Sequence, residues 1–225
     1  MKIGIIVAMH KELELLLPLL KDSEQSRMGG CEFYRGRVGH HDVIAMQCGI
    51  GKVNAAMGSL TLINSFLPDF VINSGVGGGA DPKVNVMDVV AGARVAYHDV
   101  WCGPETELGQ VQGLPLYFEG APQLLDLVPD GEGIHKGVIC SGDQFIDKME
   151  DVKRIKANFP DALAVDMESG AIAQVCHLNK VPFLALRVIS DSPGASHDNT
   201  RQYLDFWEDA PRESFSIVHD MISNL

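Results

Sequence analysis

The sequence predicts an α/β sandwich built on a mixed sheet. Strand-like runs alternate with helix-like runs from the first residues, and the segment 33–48 reads as a hairpin. Of the 225 residues, 46% are hydrophobic and 21% charged, an ordinary balance for a globular core and the wrong one for a disordered or collagenous chain. Alternation of this kind produces parallel strands joined by helical crossovers, and a hairpin among them makes the sheet mixed.

Lys2–Val7 is a run of apolar β-formers, followed by helical spacing over Lys11–Leu20. Phe33–Val38 and Asp42–Cys48 pair as a hairpin around His40 and His41, and Lys52–Phe66 is helical again. Val- and Ile-rich runs at Phe70–Asn73, Val86–Ala96, Gly137–Cys140 and Phe183–Ser190 are read as strands. Lys148–Asn158, Met167–His177 and Arg201–Asn224 have helical spacing. No repeat, low-complexity tract or linker divides the chain, so one domain over residues 1–225 is expected. Asp99–Gly120 contains four glycines, two prolines and a tryptophan. A loop of that length is a candidate lid or interface.

The 18 basic and 30 acidic residues leave a formal charge of −12, a field that repels nucleic-acid phosphates and anionic lipid. No run approaches the roughly 18 apolar residues of a membrane-spanning helix, and no cleavage site follows the apolar stretch Ile3–Met9. A cytoplasmic protein binding neither nucleic acid nor membrane is expected. The five cysteines lack a CxxC pair and are read as reduced thiols acting as small buried apolar residues.

Asn73-Ser74-Gly75-Val76-Gly77-Gly78-Gly79-Ala80 formally matches a dinucleotide fingerprint, but Asp81-Pro82-Lys83 leads into the β-like Val84–Val90 where that motif requires a helix. The glycines suit either a close backbone approach to a ligand or a tight crossing of two strands. Gly49-Ile50-Gly51-Lys52 lacks phosphate-loop spacing and is read as a strand-to-helix turn.

Ligands of open α/β sheets sit beyond the carboxyl ends of strands. Three acids fall there: Glu12 in the first helical turn, Glu168 before the Met167–His177 helix, and Asp191 at the end of FLALRVIS. Each also suits a helix N-terminus or a turn. Arg187 interrupts an apolar strand and therefore needs a carboxylate or a polar ligand. At about 3.3 Å per residue it stands roughly 13 Å from Asp191, too far to pair with it. The eight histidines form no metal-binding spacing, and no nucleophile elbow occurs. Neither a metal nor a cofactor is expected, which leaves carboxylate chemistry.

GIIVAMHKELELL, CGIGKVNAAM, VINSGVGGG, YHD, SGDQFI, AVDMESGAIAQVC and ALRVISD resemble, in order and over nearly the whole chain, the 5′-methylthioadenosine/S-adenosylhomocysteine nucleosidases of the nucleoside phosphorylase superfamily. The resemblance implies a single-domain, three-layer α/β/α sandwich with a mixed central β-sheet. It also implies hydrolysis of the N-glycosidic bond of a small purine nucleoside, without a cofactor, by a homodimer in which the Tyr97–Leu116 region covers the partner's site. Glu12 resembles the base that activates water, Asp191 the acid that protonates purine N7, and Glu168 the ligand of the ribose hydroxyls. Arg187 resembles a residue that places the water. Phe145 and Ile146 resemble the purine contacts, with Met9, Ile50, Val76, Gly77, Gly78, Met167 and Ser190 around them.

Three positions depart from the family pattern. Val76 stands in place of a small hydroxyl residue, Asp166 in place of Glu, and Thr200 about where an aromatic ring closes the pocket, a ring that Tyr203 or Phe206 could supply instead. Alternatives left open by the sequence are a phosphate-dependent phosphorylase, a futalosine-type nucleosidase and a non-catalytic nucleoside-binding protein.

Overall fold

Both faces of the first strand are apolar, and they divide the core in two. In β1 (Lys2–Val7), Ile3, Ile5 and Val7 pack on one side of the sheet and Ile6 on the other, as the two-residue period of a strand requires. A strand covered on both faces belongs in the middle of a sheet. Accordingly β1 lies between two parallel neighbours, β4 (His41–Gln47) and β5 (Phe70–Gly79).

The computed structural model describes residues 1–193, 199–209 and 212–225, without the side chains of 199–200, 208–209 and 212–216. After β1 come α1 (His10–Leu16), a short 3₁₀ turn over Leu17–Leu19, and the strands β2 (Lys21–Met28) and β3 (Cys31–Val38). Beyond β4 and β5 lie the strands β6 (Val89–Tyr97), β7 (Phe118–Glu119), β8 (Ile134–Ser141), β9 (Ala162–Asp166) and β10 (Phe183–Asp191). The remaining helices are α2 (Lys52–Phe66), α3 (Pro122–Leu125), α4 (Met149–Asn158), α5 (Ser169–Asn179), α6 (Asn199–Asp209) and α7 (Arg212–Ser223).

The sheet is mixed, as expected, and its pairing closes on itself. β5 pairs with β10, β10 with β6, β6 with β8, β8 with β9, and β9 returns antiparallel to β5 at Gly78 and Gly79. β1, β4, β3 and β2 extend from this ring as a wing. Helices α2 and α5 contribute Leu62, Ile63, Ile172 and Cys176 to one core. Helices α1 and α7 contribute Leu13, Leu16, Met221 and Ile222 to the other.

The expected hairpin is β3–β4, turning at Gly39 in the left-handed region with φ 58°. β2 carries no sequence signal, because KDSEQSRM is polar and almost wholly exposed. It is an edge strand held by backbone pairing to β3, and its charges guard that edge against further pairing. Helix α1 is shorter than its pattern because Pro18 stands in the 3₁₀ turn that ends it. The expected strand at Val84–Val90 is instead a turn as far as Asp88, with Met87 at φ 79°, so β6 starts at Val89. The glycine run is a continuation of β5.

Of the cysteines, Cys31, Cys140 and Cys176 are buried, Cys48 is intermediate, and Cys102 is exposed, against the general expectation.

The α2 contact with β1 shows how the packing works. Leu62 is fully buried, and a Cβ built on Gly4 would lie 2.6 Å from its Cδ2, so glycine is what lets the helix sit this close to the strand. Leu62→Ala should leave a cavity at that crossing and cost about 2–5 kcal/mol, read as a lower urea midpoint with an unchanged slope.

Candidate active site

One cleft gathers the carboxyl ends of several strands. Ala8 and Met9 follow β1, Ile50 lies in the β4–α2 loop, and Val76, Gly77 and Gly78 come from β5. Gln144, Phe145 and Ile146 follow β8, Val165 to Glu168 end β9 and open α5, Ser190 and Asp191 end β10, and Tyr203 reaches in from α6. Two roomier hollows elsewhere, of about 570 and 460 Å³, contain no comparable gathering of buried acids.

Glu12 is 2% exposed at the base of α1. Its Oε2 accepts hydrogen bonds from the backbone N–H of Ala8 at 2.8 Å and Met9 at 2.9 Å, and its Oε1 accepts one from Val76 at 3.0 Å. The approach of β5 depends on a missing side chain, since a Cβ on Gly75 would lie 2.8 Å from Glu12 Oε1. Burial pushes the Glu12 carboxyl above its ordinary value, and the backbone donors and Arg187 oppose that shift.

Glu168, the residue preceding α5, is also buried, and its Oε1 accepts from Gly51 N–H at 2.9 Å. Its pKa is pushed up to about 7, first by burial and then by the neighbouring Asp166, while Arg187 and the Gly51 amide pull it down. Asp191 is 2% exposed, and the Ser190 hydroxyl donates to its Oδ1 at 2.5 Å. The Cys48 thiol is raised by burial and by the Glu168 and Glu12 charges, which holds it in the unreactive protonated form.

Every proposed site residue named from the sequence lines this cleft except Arg187. The guanidinium is 1% exposed and lies behind the wall. Its NH2 is 2.5 Å from Asp166 Oδ2 and donates to Asn73 Oδ1, while its NH1 donates to the carbonyls of Asn73 and Leu186. The buried strand cation therefore found its carboxylate in Asp166. Its Nε has no hydrogen-bond partner among the described residues.

Ala8, Gln144, Val165 and Asp166 were not picked out from the sequence as lining residues. Asp166 was legible as an oddity beside Met167, whereas the others carry no chemical signal. The ring at the pocket edge is Tyr203, packed edge-on to Phe145 with centroids 5.7 Å apart, its hydroxyl donating to Met9 Sδ at 3.2 Å. Phe206 instead packs with Val89 and Val188. The side chain of Thr200 lies outside the described residues. Residues of the 99–120 loop do not line the cleft, and Trp101 in that loop is 63% exposed. Among the described residues, no group of three or more His, Cys, Asp and Glu side chains is arranged to hold a metal ion.

Residues 2–223 match the family model of the phosphorylase superfamily. The chain is 38% identical over 233 residues to the 5′-methylthioadenosine/S-adenosylhomocysteine nucleosidase of Tolumonas auensis, covering all of both chains. The chain belongs to that nucleosidase family of the phosphorylase superfamily. Its structure superimposes on the S-adenosylhomocysteine nucleosidase of Streptococcus pyogenes in complex with 5-methylthiotubericidin with a TM-score of 0.94 at 35% identity, covering 100% of this chain and 97% of that one. The adenine complex of the nucleosidase from Colwellia psychrerythraea gives a TM-score of 0.93 at 36% identity, covering 100% and 96%. The nucleosidase fold thus places its buried acids around a single hollow.

The raised carboxyl of Glu168 affects stability. Between the ordinary 4.5 and about 7, the folded state holds a proton that the unfolded state has lost, so stability falls as pH rises through that window. Glu168→Gln removes the penalty. Its stability margin over the wild type should widen by on the order of 2 kcal/mol between pH 4 and pH 8, measured by urea unfolding at both pH values.

Proposed function

We propose that this enzyme hydrolyses the N-glycosidic bond of 5′-methylthioadenosine and S-adenosylhomocysteine, releasing adenine and the thio-substituted ribose. The observation that carries the reading is the convergence of Glu12, Glu168 and Asp191, all buried, on one cleft with no Lys or Arg on its described wall. Breaking such a bond builds positive charge on the ribose and negative charge on the departing purine. The opposite ends of the substrate therefore need opposite help.

Glu12 takes a proton from water as the water oxygen bonds to C1′. Burial supports this role by raising the basicity of the carboxylate, and three backbone amides fix its orientation. The C1′–N9 bond breaks, its electron pair passes into the purine, and Asp191 donates a proton to N7. Glu168, steadied by Gly51 N–H, accepts from the ribose hydroxyls and faces the developing cation. Phe145, half exposed at the mouth, stacks on the purine, and Ile146 meets its edge. Arg187 acts from behind the wall, through its charge on Glu12 and Glu168.

Hydrolysis is favoured over phosphorolysis because a phosphate nucleophile needs cationic donors at the cleft surface, and the buried guanidinium is tied to Asp166. Incubation with 5′-methylthioadenosine should release adenine at the same rate with and without phosphate, followed by chromatography beside adenosine, inosine and futalosine. Phosphate dependence, or a clear preference for futalosine, would reject the assignment. Glu12→Gln and Asp191→Asn should each lower kcat by about 10²–10⁴-fold. Near-normal turnover in either would remove that residue from its role.

The reading extends to a homodimer. Val53, Met57 and Leu60 recur at i, i+4 and i+7 along α2 and are 79%, 51% and 43% exposed, an apolar stripe that a second copy would cover. Tyr97–Leu116 of one subunit would then lie over the partner's cleft. Light scattering should return twice the chain mass, and Met57→Glu should shift the species towards the monomer.

A further inference from the structure

Four acids and one cation meet at the inner wall of the cleft, and how the cation is shared decides what the acids can do. Glu12, Asp166, Glu168 and Asp191 are all buried, and Arg187 is the buried arginine among them. Asp166 and Glu168 stand two residues apart, on either side of the step from β9 to α5. Each has a different partner. Asp166 Oδ2 meets Arg187 NH2 at 2.5 Å, while Glu168 Oε1 is held by Gly51 N–H from the β4–α2 loop.

We propose that Asp166 is a positioning residue: by occupying Arg187 and tying down the first turn of α5, it leaves the Glu168 carboxylate free to face the ribose. This inference rests on the nucleosidase reading and names the residue that prepares its sugar subsite. Two sets of bonds carry it. Besides the ion pair, Asp166 accepts from Ser169 Oγ at 2.9 Å through Oδ1 and from Ser169 N–H at 3.1 Å through Oδ2. The residue following Glu168 is thereby fastened to the end of β9. A buried guanidinium that loses its carboxylate retains its charge and must find another. Glu168, on which Arg187 already acts electrostatically, is the acid beside it, held among the described residues by the single backbone donor Gly51 N–H.

The arrangement also joins the two ends of the site. Arg187 donates to Asn73, whose Nδ2 donates to Ile6 O at 3.0 Å. Ile6 lies two residues before Ala8, whose amide holds Glu12. The carboxylate at the sugar and the one at the water are therefore set by one connected frame, with Asp166 as its carboxylate anchor.

The test separates the sugar subsite from the purine subsite. Asp166→Asn keeps the shape and removes the charge. With 5′-methylthioadenosine its KM should rise about ten-fold, and kcat should fall about ten-fold as well, because the diverted Glu168 also faces the developing cation. Free adenine, which engages only the purine end, should bind with a Kd within about two-fold of wild type by calorimetry. Asp166→Glu, which restores the charge, should recover most of the KM loss. Should Asp166→Asn fail to accumulate as folded protein, Ser169→Ala decides, with a KM rise of about three-fold and unchanged adenine binding expected.

Equal weakening of adenine and nucleoside, an unchanged KM, or a failure of Asp166→Glu to improve on Asp166→Asn would overturn the positioning role. Absence of adenine release by the wild type would instead overturn the nucleosidase reading beneath it.

Discussion

The structure depends on keeping several carboxylates inside a protein. Moving one ionised carboxylate out of water is costly, and gathering Glu12, Asp166, Glu168 and Asp191 around one hollow multiplies the cost. The fold offsets it with fixed donors: three backbone amides on Glu12, one on Glu168, and a guanidinium on Asp166. What those donors leave uncompensated appears as raised pKa values at Glu12 and Glu168. The destabilisation is local and lies at the two carboxyls proposed as base and as cation-facing acid.

Backbone donors can serve only if the backbone comes close, and this accounts for the glycines of β5. A Cβ on Gly75 would collide with Glu12, and one on Gly77 would lie 2.8 Å from the Val165 carbonyl. Of the two readings of the glycine run, the structure shows the strand crossing, and the same strand lines the cleft. β9 crosses onto β5 at Gly78 and Gly79, while Gly77 and Gly78 line the cleft on the same strand. That crossing closes the ring of strands and brings Asp166 and Glu168 to the end of β10.

Sequence reasoning reached the elements whose patterning is strong. β1 and α2 begin and end where their periodicity does, and β10 continues only one residue beyond its apolar run. It missed β2, whose polar residues gain their strand conformation from pairing with β3 rather than from their own preference. It also carried a strand through Val84–Val90, where the turn is set by Asp88 accepting from Asn85 N–H and by Met87 N–H bonding to Ile189 across the sheet.

In the site, the acids at strand ends were readable because α/β topology puts a crevice there. Gln144 and Ala8 were not, since nothing in their type marks them.

The sequence by itself determined the α/β class, the run of strands and helices, the acids in question, and the fact that Arg187 must find a carboxylate or a polar ligand. Those follow from periodicity and from the cost of burying charge, both written locally in the chain. Only the tertiary structure decided that this partner is the Asp166 carboxylate, that the guanidinium stands behind the cleft wall rather than in it, and that Tyr203 rather than Phe206 supplies the ring. These choices depend on distances between residues far apart in the chain, and such distances exist only after the strands close their circuit.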